Sequence, residues 1–438
     1  MQHDTNTTKT MFNHAFDERH TRRTVLKTCG AFALTGAAGT ASARDRTVGA
    51  PDALRLFSEQ AVDGALEVVT QKNFAYVATG GGLAVVDWRN KLKPSVEVEM
   101  DVPGGGVADV KVDGDLLAIS SQVGSTPSDI GTHFYDISDP TDPQFRGTWQ
   151  ELPAGVHNHF LEGDLAYICR EFPFDDSALK IVDVSDPTNP TLLSEWPEPG
   201  AFLREQATAL VHDVYVQDGL AYISFWDAGC WVLDVSDPTN PVPVSSFSED
   251  PDWDEKLFEQ DFENLEYLER IFLPPGNAHY AQPSPDGDLV FVGAETFPGA
   301  IGVSDPDEDD FGGIKVFDTS DLSNPEFLTR IDPPSVDGFR TSHNFDVTAN
   351  RLDTSWYEGG VRVFDITDPA DPALRASYDP DGSSFWTAVR SRSMTVASDI
   401  GAGLVFLHDD RGKVSPPSFE GDFERGTGPG PEHHATSG

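Results

Sequence analysis

One phrase, present five times, constrains this chain more than any other feature. It reads Val232-Leu-Asp-Val-Ser-Asp-Pro-Thr-Asn-Pro241, and it returns with small changes at Phe134–Pro143, Ile181–Pro190, Val316–Pro325 and Val363–Pro372. Each copy has the chemistry of a strand end followed by a hairpin turn. The apolar residues make a buried β run, the Ser/Thr-Asp pair offers side-chain oxygens to turn amides, and the first proline pre-sets φ. The second proline falls at the start of the next strand, where its missing N–H costs little. The phrase therefore reads as a turn rather than an active site.

Measured between the first aspartates of the copies, the steps are 47, 51, 84 and 47 residues. A period near that of propeller blades, with strand chemistry throughout, points away from helical repeats. A four-strand script is legible in each unit. Around Val211–Ser224 it runs as an innermost strand, an Asp-Gly hairpin and a second strand, then a variable loop, the third strand, the Asp-Pro turn and an outer strand. Units start near Ala65, Val107, Val156, Val211, Ala278, Ser342 and Phe385, which makes seven.

The fold expected is an all-β, seven-bladed propeller of four-stranded antiparallel blades over residues 51–410. Residues 51–60 resemble an outer strand with no partner before it. Gly403–Asp409 is a third strand with no outer strand after it, so pairing the two ends would close the ring. The long step holds an insert at about 249–277, with Phe258, Phe262, Leu265 and Leu268 at helical spacing. Beyond Arg411 the Gly/Pro-rich segment through residue 438 reads as a disordered tail.

The phrase and the strand ahead of it resemble the LVIVD-repeat family of β-propellers over about residues 51–410. That resemblance implies a propeller in exported or surface proteins and no single activity.

Thirty Lys+Arg against 73 Asp+Glu give a formal charge of −43, which leaves no basic footprint for nucleic acid or anionic membrane. With 38% hydrophobic residues and clear strand periodicity, this charge describes an acidic protein folded in concentrated salt, as in halophiles. Thr21-Arg-Arg-Thr-Val-Leu-Lys27, a mild apolar stretch and Ala41-Ser-Ala43 make residues 1–43 a twin-arginine signal, too short for a membrane span. The mature product is then expected outside the cell or on its surface. Cys169 and Cys230 are no disulfide framework and read as free thiols.

When the units are aligned on their second strands, one column stands out. His157, His212, His279 and His343 open the innermost strands of blades three to six, where the other blades carry Leu66, Ala108 and Trp386. Such positions lie near the axis, so four imidazoles on consecutive blades would converge on one transition-metal ion: Fe, Cu, Zn or Ni. His159, two residues after His157, is a weaker fifth candidate. Glu171, Asp227, Glu295, Glu358 and Asp399 are available as outer partners. In outline the column resembles the iron-holding histidines of the seven-bladed carotenoid-cleavage oxygenases. The rest of the sequence does not match them, so no substrate carries over. The competing reading makes the histidines interblade hydrogen bonders, inherited by duplication.

The next column reads Glu67, Asp109, Asn158, Asp213, Tyr280, Asn344 and Thr387, whose Asp/Asn members suit a bond from a strand start to a neighbouring loop. Asp305, Asp307 and Asp309 alternate as calcium ligands do, yet the sequence lacks the central glycine and a distal glutamate, so a solvated loop is favoured. The glycine runs at 79–82 and 103–106 lack the Lys-Ser/Thr of a phosphate loop, and no Gly-x-Ser-x-Gly occurs. The function expected is a surface or extracellular binding module for an unidentified protein or small molecule, with Trp226, Phe297, Trp356 and Trp386 beside the histidine face. The alternative is a metal-dependent enzyme, an oxidoreductase, with the four histidines as its ligands.

Overall fold

The computed structural model describes residues 54–124, 126–153, 155–171, 177–197, 210–226, 228–247, 277–296, 312–336 and 338–409. The expected signal, the helical insert (Asn277 apart) and the tail lie outside these residues. So do Asp227, Phe297, Asp305, Asp307 and Asp309.

Seven four-stranded antiparallel sheets are arranged as the blades of a propeller. Blade one is Val68–Gln71, Phe74–Ala78, Gly82–Asp87 and Ser95–Asp101; blade two is Val110–Asp113, Leu116–Ser121, Gly131–Asp136 and Gln144–Gln150. Blade three is His159–Glu162, Leu165–Arg170, Ala178–Asp183 and Thr191–Pro197; blade four is Asp213–Gln217, Leu220–Ser224, Cys230–Asp234 and Val242–Phe247. Blade five is Ala278–Pro283, Leu289–Ala294, Ile314–Asp318 and Glu326–Ile331; blade six is Phe345–Thr348, Arg351–Ser355, Val361–Asp365 and Ala373–Tyr378. Blade seven joins Phe385–Ser391, Met394–Asp399 and Gly403–Asp409 to the first strand of the chain, Leu54–Gln60, which pairs antiparallel with Gly403–Asp409. Gly403 has φ +108°, and a Cβ there would sit 2.3 Å from the amide nitrogen of Val62, so this junction accepts only glycine. Among the described residues the one helical segment is the 3-10 turn Pro127–Asp129, and no helix is long and apolar enough to cross a membrane.

The apolar residues collect in the seams between blades. Tyr167, Leu179 and Ile181 of blade three pack on Val214, Ile223 and Leu233 of blade four. Equivalent clusters join every neighbouring pair, including Met394, Val396 and Phe406 of blade seven with Val68, Ala75 and Val86 of blade one. Each blade is thus covered on both faces, which is why Gly82–Asp87 is buried along its whole length. Each fully buried Val, Leu or Ile contributes about 1.5–3 kcal/mol. Cys169 and Cys230 are buried in blades three and four and are not joined in a disulfide.

The repeated phrase is a double side-chain staple. In blade four, Asp234 Oδ1 accepts the Ser236 amide (2.9 Å) and hydroxyl (2.6 Å). Asp237 does the same for Thr239 at 3.0 and 2.6 Å. The Asn240 amide then donates to the Asp237 carbonyl at 2.9 Å, closing a β-turn with Pro238 at its second position. Asp183 and Asp186, and Asp318 and Asp321, repeat the arrangement. The second prolines, Pro143, Pro190, Pro241, Pro325 and Pro372, each stand immediately before an outer strand. A bulge offsets the third and outer strands at one place, between the two residues before the phrase's first aspartate, as at Val232/Leu233 and Val363/Phe364.

The serine and threonine hydroxyls, followed by the amides, hold Asp183, Asp234, Asp237, Asp318 and Asp321 below the usual carboxylate range. A depressed carboxyl favours the fold above its unfolded pKa of about 4 and loses that contribution as acid protonates it. Asp234→Asn keeps an acceptor oxygen, whereas Asp234→Ala loses both bonds. In urea unfolding at pH 7, the alanine variant is expected to have the lower midpoint and the asparagine variant to stay near wild type.

Candidate metal centre

The innermost strands present two columns toward the axis. In the lower column, the Asn344 amide (2.9 Å) and the Thr387 hydroxyl donate to Glu67, which joins blades six, seven and one across the centre. Lys111 pairs with Asp109 and lies 3.5 Å from Glu67. Asn158 Nδ2 donates to the His212 carbonyl at 2.8 Å, and Asp109 accepts the His159 amide at 2.8 Å. This is the strand-start bond expected of the Asp/Asn column: Asp109 and Asn158 reach the next blade, Asn344 reaches across to blade one, and Asp213 accepts the Val214 amide of its own strand.

Above it, the four histidines form a continuous arc. Ring centroids are 5.2 Å apart for His157 and His212, 4.2 Å for His212 and His279, and 4.3 Å for His279 and His343. All four are buried. His157, His212 and His343 immediately precede or stand just ahead of an innermost strand, while His279 lies within one. The remaining sector is apolar: Leu66, Ala108, Tyr357 and Trp386 cluster there with Phe339 and Ile400.

Two glutamates enter the arc. Glu171 and Glu295 each directly follow a second strand, in blades three and five. His279 Nε2 lies 3.4 Å and His343 Nε2 3.7 Å from Glu295, and His212 Nε2 lies 3.7 Å from Glu171. The ligating atoms of His157, Glu171 and His212 all fall within 4.8 Å of one another, as do those of His212, His279 and Glu295. The Tyr357 hydroxyl donates to Glu295.

The electrostatics fit a cation. Burial keeps the imidazoles neutral, pushing His157 down to about 4 and His212, His279 and His343 well below the usual range. The same burial raises the carboxyls, Glu295 to about 8 and Glu171 well above its ordinary value. His212 Nδ1 is 3.1 Å from the His279 carbonyl, which assigns its hydrogen to that bond and leaves Nε2 with a lone pair. That lone pair faces Glu171 Oε1, which has no hydrogen-bond partner. Nδ1 of His157, His279 and His343 is likewise unpartnered. With the carboxyls protonated by burial these contacts are satisfied without an ion. On loss of those protons the lone pairs and carboxylates would suit a shared metal ion, and this donor set matches Fe, Cu, Zn or Ni better than calcium.

Other expected positions resolve differently. His159 does not face the arc: its Nδ1 lies 2.8 Å from Ser120 Oγ and 2.9 Å from Asp109, in the seam toward blade two. It occupies the place where other innermost strands put Val68, Val110 or Val214. The strand begins at His159, so the pleat does not extend back to His157. Glu358 is exposed, and Asp399 accepts the Gly401 amide at 3.0 Å within its own hairpin. Trp356 is buried in the seam between blades five and six, while Trp226 and Trp386 stack on His212 (5.0 Å) and His343 (4.0 Å). Tyr357, missed from the sequence, adds an edge contact to His343 at 5.2 Å. Its signal was an aromatic pair, Trp356-Tyr357, in register with Phe225-Trp226.

Residues 64–101, 160–196 and 210–249 match the family model described as the LVIVD repeat, so the chain carries these repeats in blades one, three and four. No curated protein matches the sequence. Among solved structures, the β-propeller domain of Myceliophteria thermophila Cps50 (Swd1) is 11% identical with a TM-score of 0.55, over 80% of this chain and 99% of that one. A chain of a Mitotic Checkpoint Complex structure is 10% identical with a TM-score of 0.56, over 84% and 96%. At such identities these likenesses show the propeller fold alone.

Proposed function

We propose that this chain is an exported binding propeller whose axial histidine face holds a transition-metal ion, and that its ligand docks at that ion. The observation that carries the reading is the contact of His279 Nε2 with Glu295 at 3.4 Å in a buried pocket, with His212 or His343 as the neighbouring donor. A neutral imidazole beside a carboxyl held protonated by burial gives a proton-for-metal exchange site. Export rests on the Arg22-Arg23 leader, and the net charge of −43 suits a salt-rich exterior. The unidentified partner is a protein or small molecule.

A metal-dependent oxidoreductase is the second reading. It is favoured by the donor set: two imidazoles and one carboxylate leave coordination positions open to a substrate, as in non-haem iron sites. The experiment for both is metal analysis of the full chain purified in high salt. His279→Ala is expected to remove a stoichiometric ion while circular dichroism stays that of the wild type. A wild-type protein that takes up no metal after reconstitution with Fe(II), Cu(II), Zn(II) or Ni(II) overturns the metal centre.

A further inference from the structure

We infer that the arc is a pair of metal sites, one built by blades three and four and a second by blades five and six. This inference rests on the metal reading above and adds a second ion to it. It comes from a two-blade unit that occurs twice.

In the first unit, blade three supplies His157 and Glu171 and blade four supplies His212. In the second, blade five supplies His279 and Glu295 and blade six supplies His343. Both glutamates directly follow a second strand, and in the alternate blades that place is taken by buried Phe225 and Trp356. The residue after each is again an aromatic, held in the left-handed region: Trp226 at φ 45° and Tyr357 at φ 47°. These two pack on His212 and His343, the last histidine of each unit. A bulky residue at positive φ costs about 1–3 kcal/mol. The cost recurs at the same point of both units, beside a histidine each time.

The ligand count supports two ions over one. The two groups of mutually close ligand atoms overlap only at His212. Its Nδ1 is committed to the His279 carbonyl, so it has one nitrogen to give and serves one ion. Assigned to Glu171 at 3.7 Å, it completes a set with His157, whose Nδ1 has no partner. Glu295 then faces His279 through Oε2 at 3.4 Å and His343 through Oε1 at 3.7 Å, so it would serve the second set as a bidentate carboxylate, with His343 outside the mutually close group of His279 and Glu295. Each buried carboxylate thereby receives its own cation and two imidazoles, a set that suits divalent zinc or iron. Two such sites side by side would clamp one ligand between them.

The test is reconstitution of the full chain with Zn(II) alone in high salt. Gel filtration then removes ions held by exposed carboxylates, and metal is counted by mass spectrometry. Two ions are expected in the wild type, and one each in Glu171→Gln and Glu295→Gln. His157→Gln replaces Glu171→Gln if the latter fails to fold, and is also expected to hold one. A single ion in the wild type overturns the second site and leaves the single-ion reading standing. Two ions that survive both Glu171→Gln and His157→Gln overturn the assignment of residues. No ion in any protein removes the reading beneath as well.

Discussion

Arg351→Met is expected to lower the stability of the protein by about 3–5 kcal/mol, the cost of leaving a buried partner charge uncompensated. Arg351 stands at the start of the second strand of blade six and ties that blade to blade seven. Its guanidinium donates to Asp353 at 2.7 and 2.8 Å, to Asp409 at 2.7 Å and to the Thr395 hydroxyl at 3.0 Å. Asp353 is fully buried, and Thr395 also donates to it. Methionine fills the volume of the arginine stem, so the loss measures the charge network rather than a cavity. Arg351→Met/Asp353→Asn removes the orphaned charge and should recover much of the deficit. Urea unfolding at fixed high salt checks both. A loss under about 1 kcal/mol for the single variant would mean that water reaches Asp353 and that this seam is looser than described.

Metal affinity at the Glu295 site is expected to rise about tenfold per pH unit between pH 6 and 8 and to level off above. Burial pushes the Glu295 carboxyl up to about 8, so below that pH an entering ion must displace its proton. The histidines add no slope in this range, because burial already keeps them neutral, His157 down to about 4. For the metal-free protein the sign reverses. A carboxyl raised in the folded state favours folding at low pH, and that contribution is lost as pH rises from about 4.5 through 8. Metal should therefore restore most stability at the alkaline end. Competition titration with a chelating dye checks the slope. A flat affinity from pH 6.5 to 8, with a break near 6, would mean solvated imidazoles and an ordinary glutamate, contrary to the buried centre.

The architecture was legible because its signal is local. Asp234 and Asp237 find their amide and hydroxyl donors within two residues, and Pro238 sets the turn, so five copies announced five blades. The histidine column was legible by register, since equal offsets from equal turns place residues at equal depth. What the register could not give was direction. His159 was expected beside His157 and lies instead in a seam, because strand alternation begins only at His159. Nor could it rank the acids. Glu171, Asp227, Glu295, Glu358 and Asp399 were equal candidates in the sequence. Only packing separates Glu171 and Glu295, buried against imidazoles, from exposed Glu358 and turn-bound Asp399, while Asp227 is outside the described residues. Tyr357 escaped notice because its role depends on left-handed backbone, which no residue type other than glycine advertises.

An even-numbered unit cannot tile an odd ring, and the mismatch polarises the hub. Four blades carry the imidazoles, while Leu66, Ala108 and Trp386 leave the other three with a greasy wall. A molecule lying over the centre would meet imidazoles on one flank and hydrocarbon on the other. A symmetric guest would gain nothing from this asymmetry, whereas a guest with an electron-donating head and an apolar tail would match it only with its head toward the crescent of imidazoles and its tail toward Trp386.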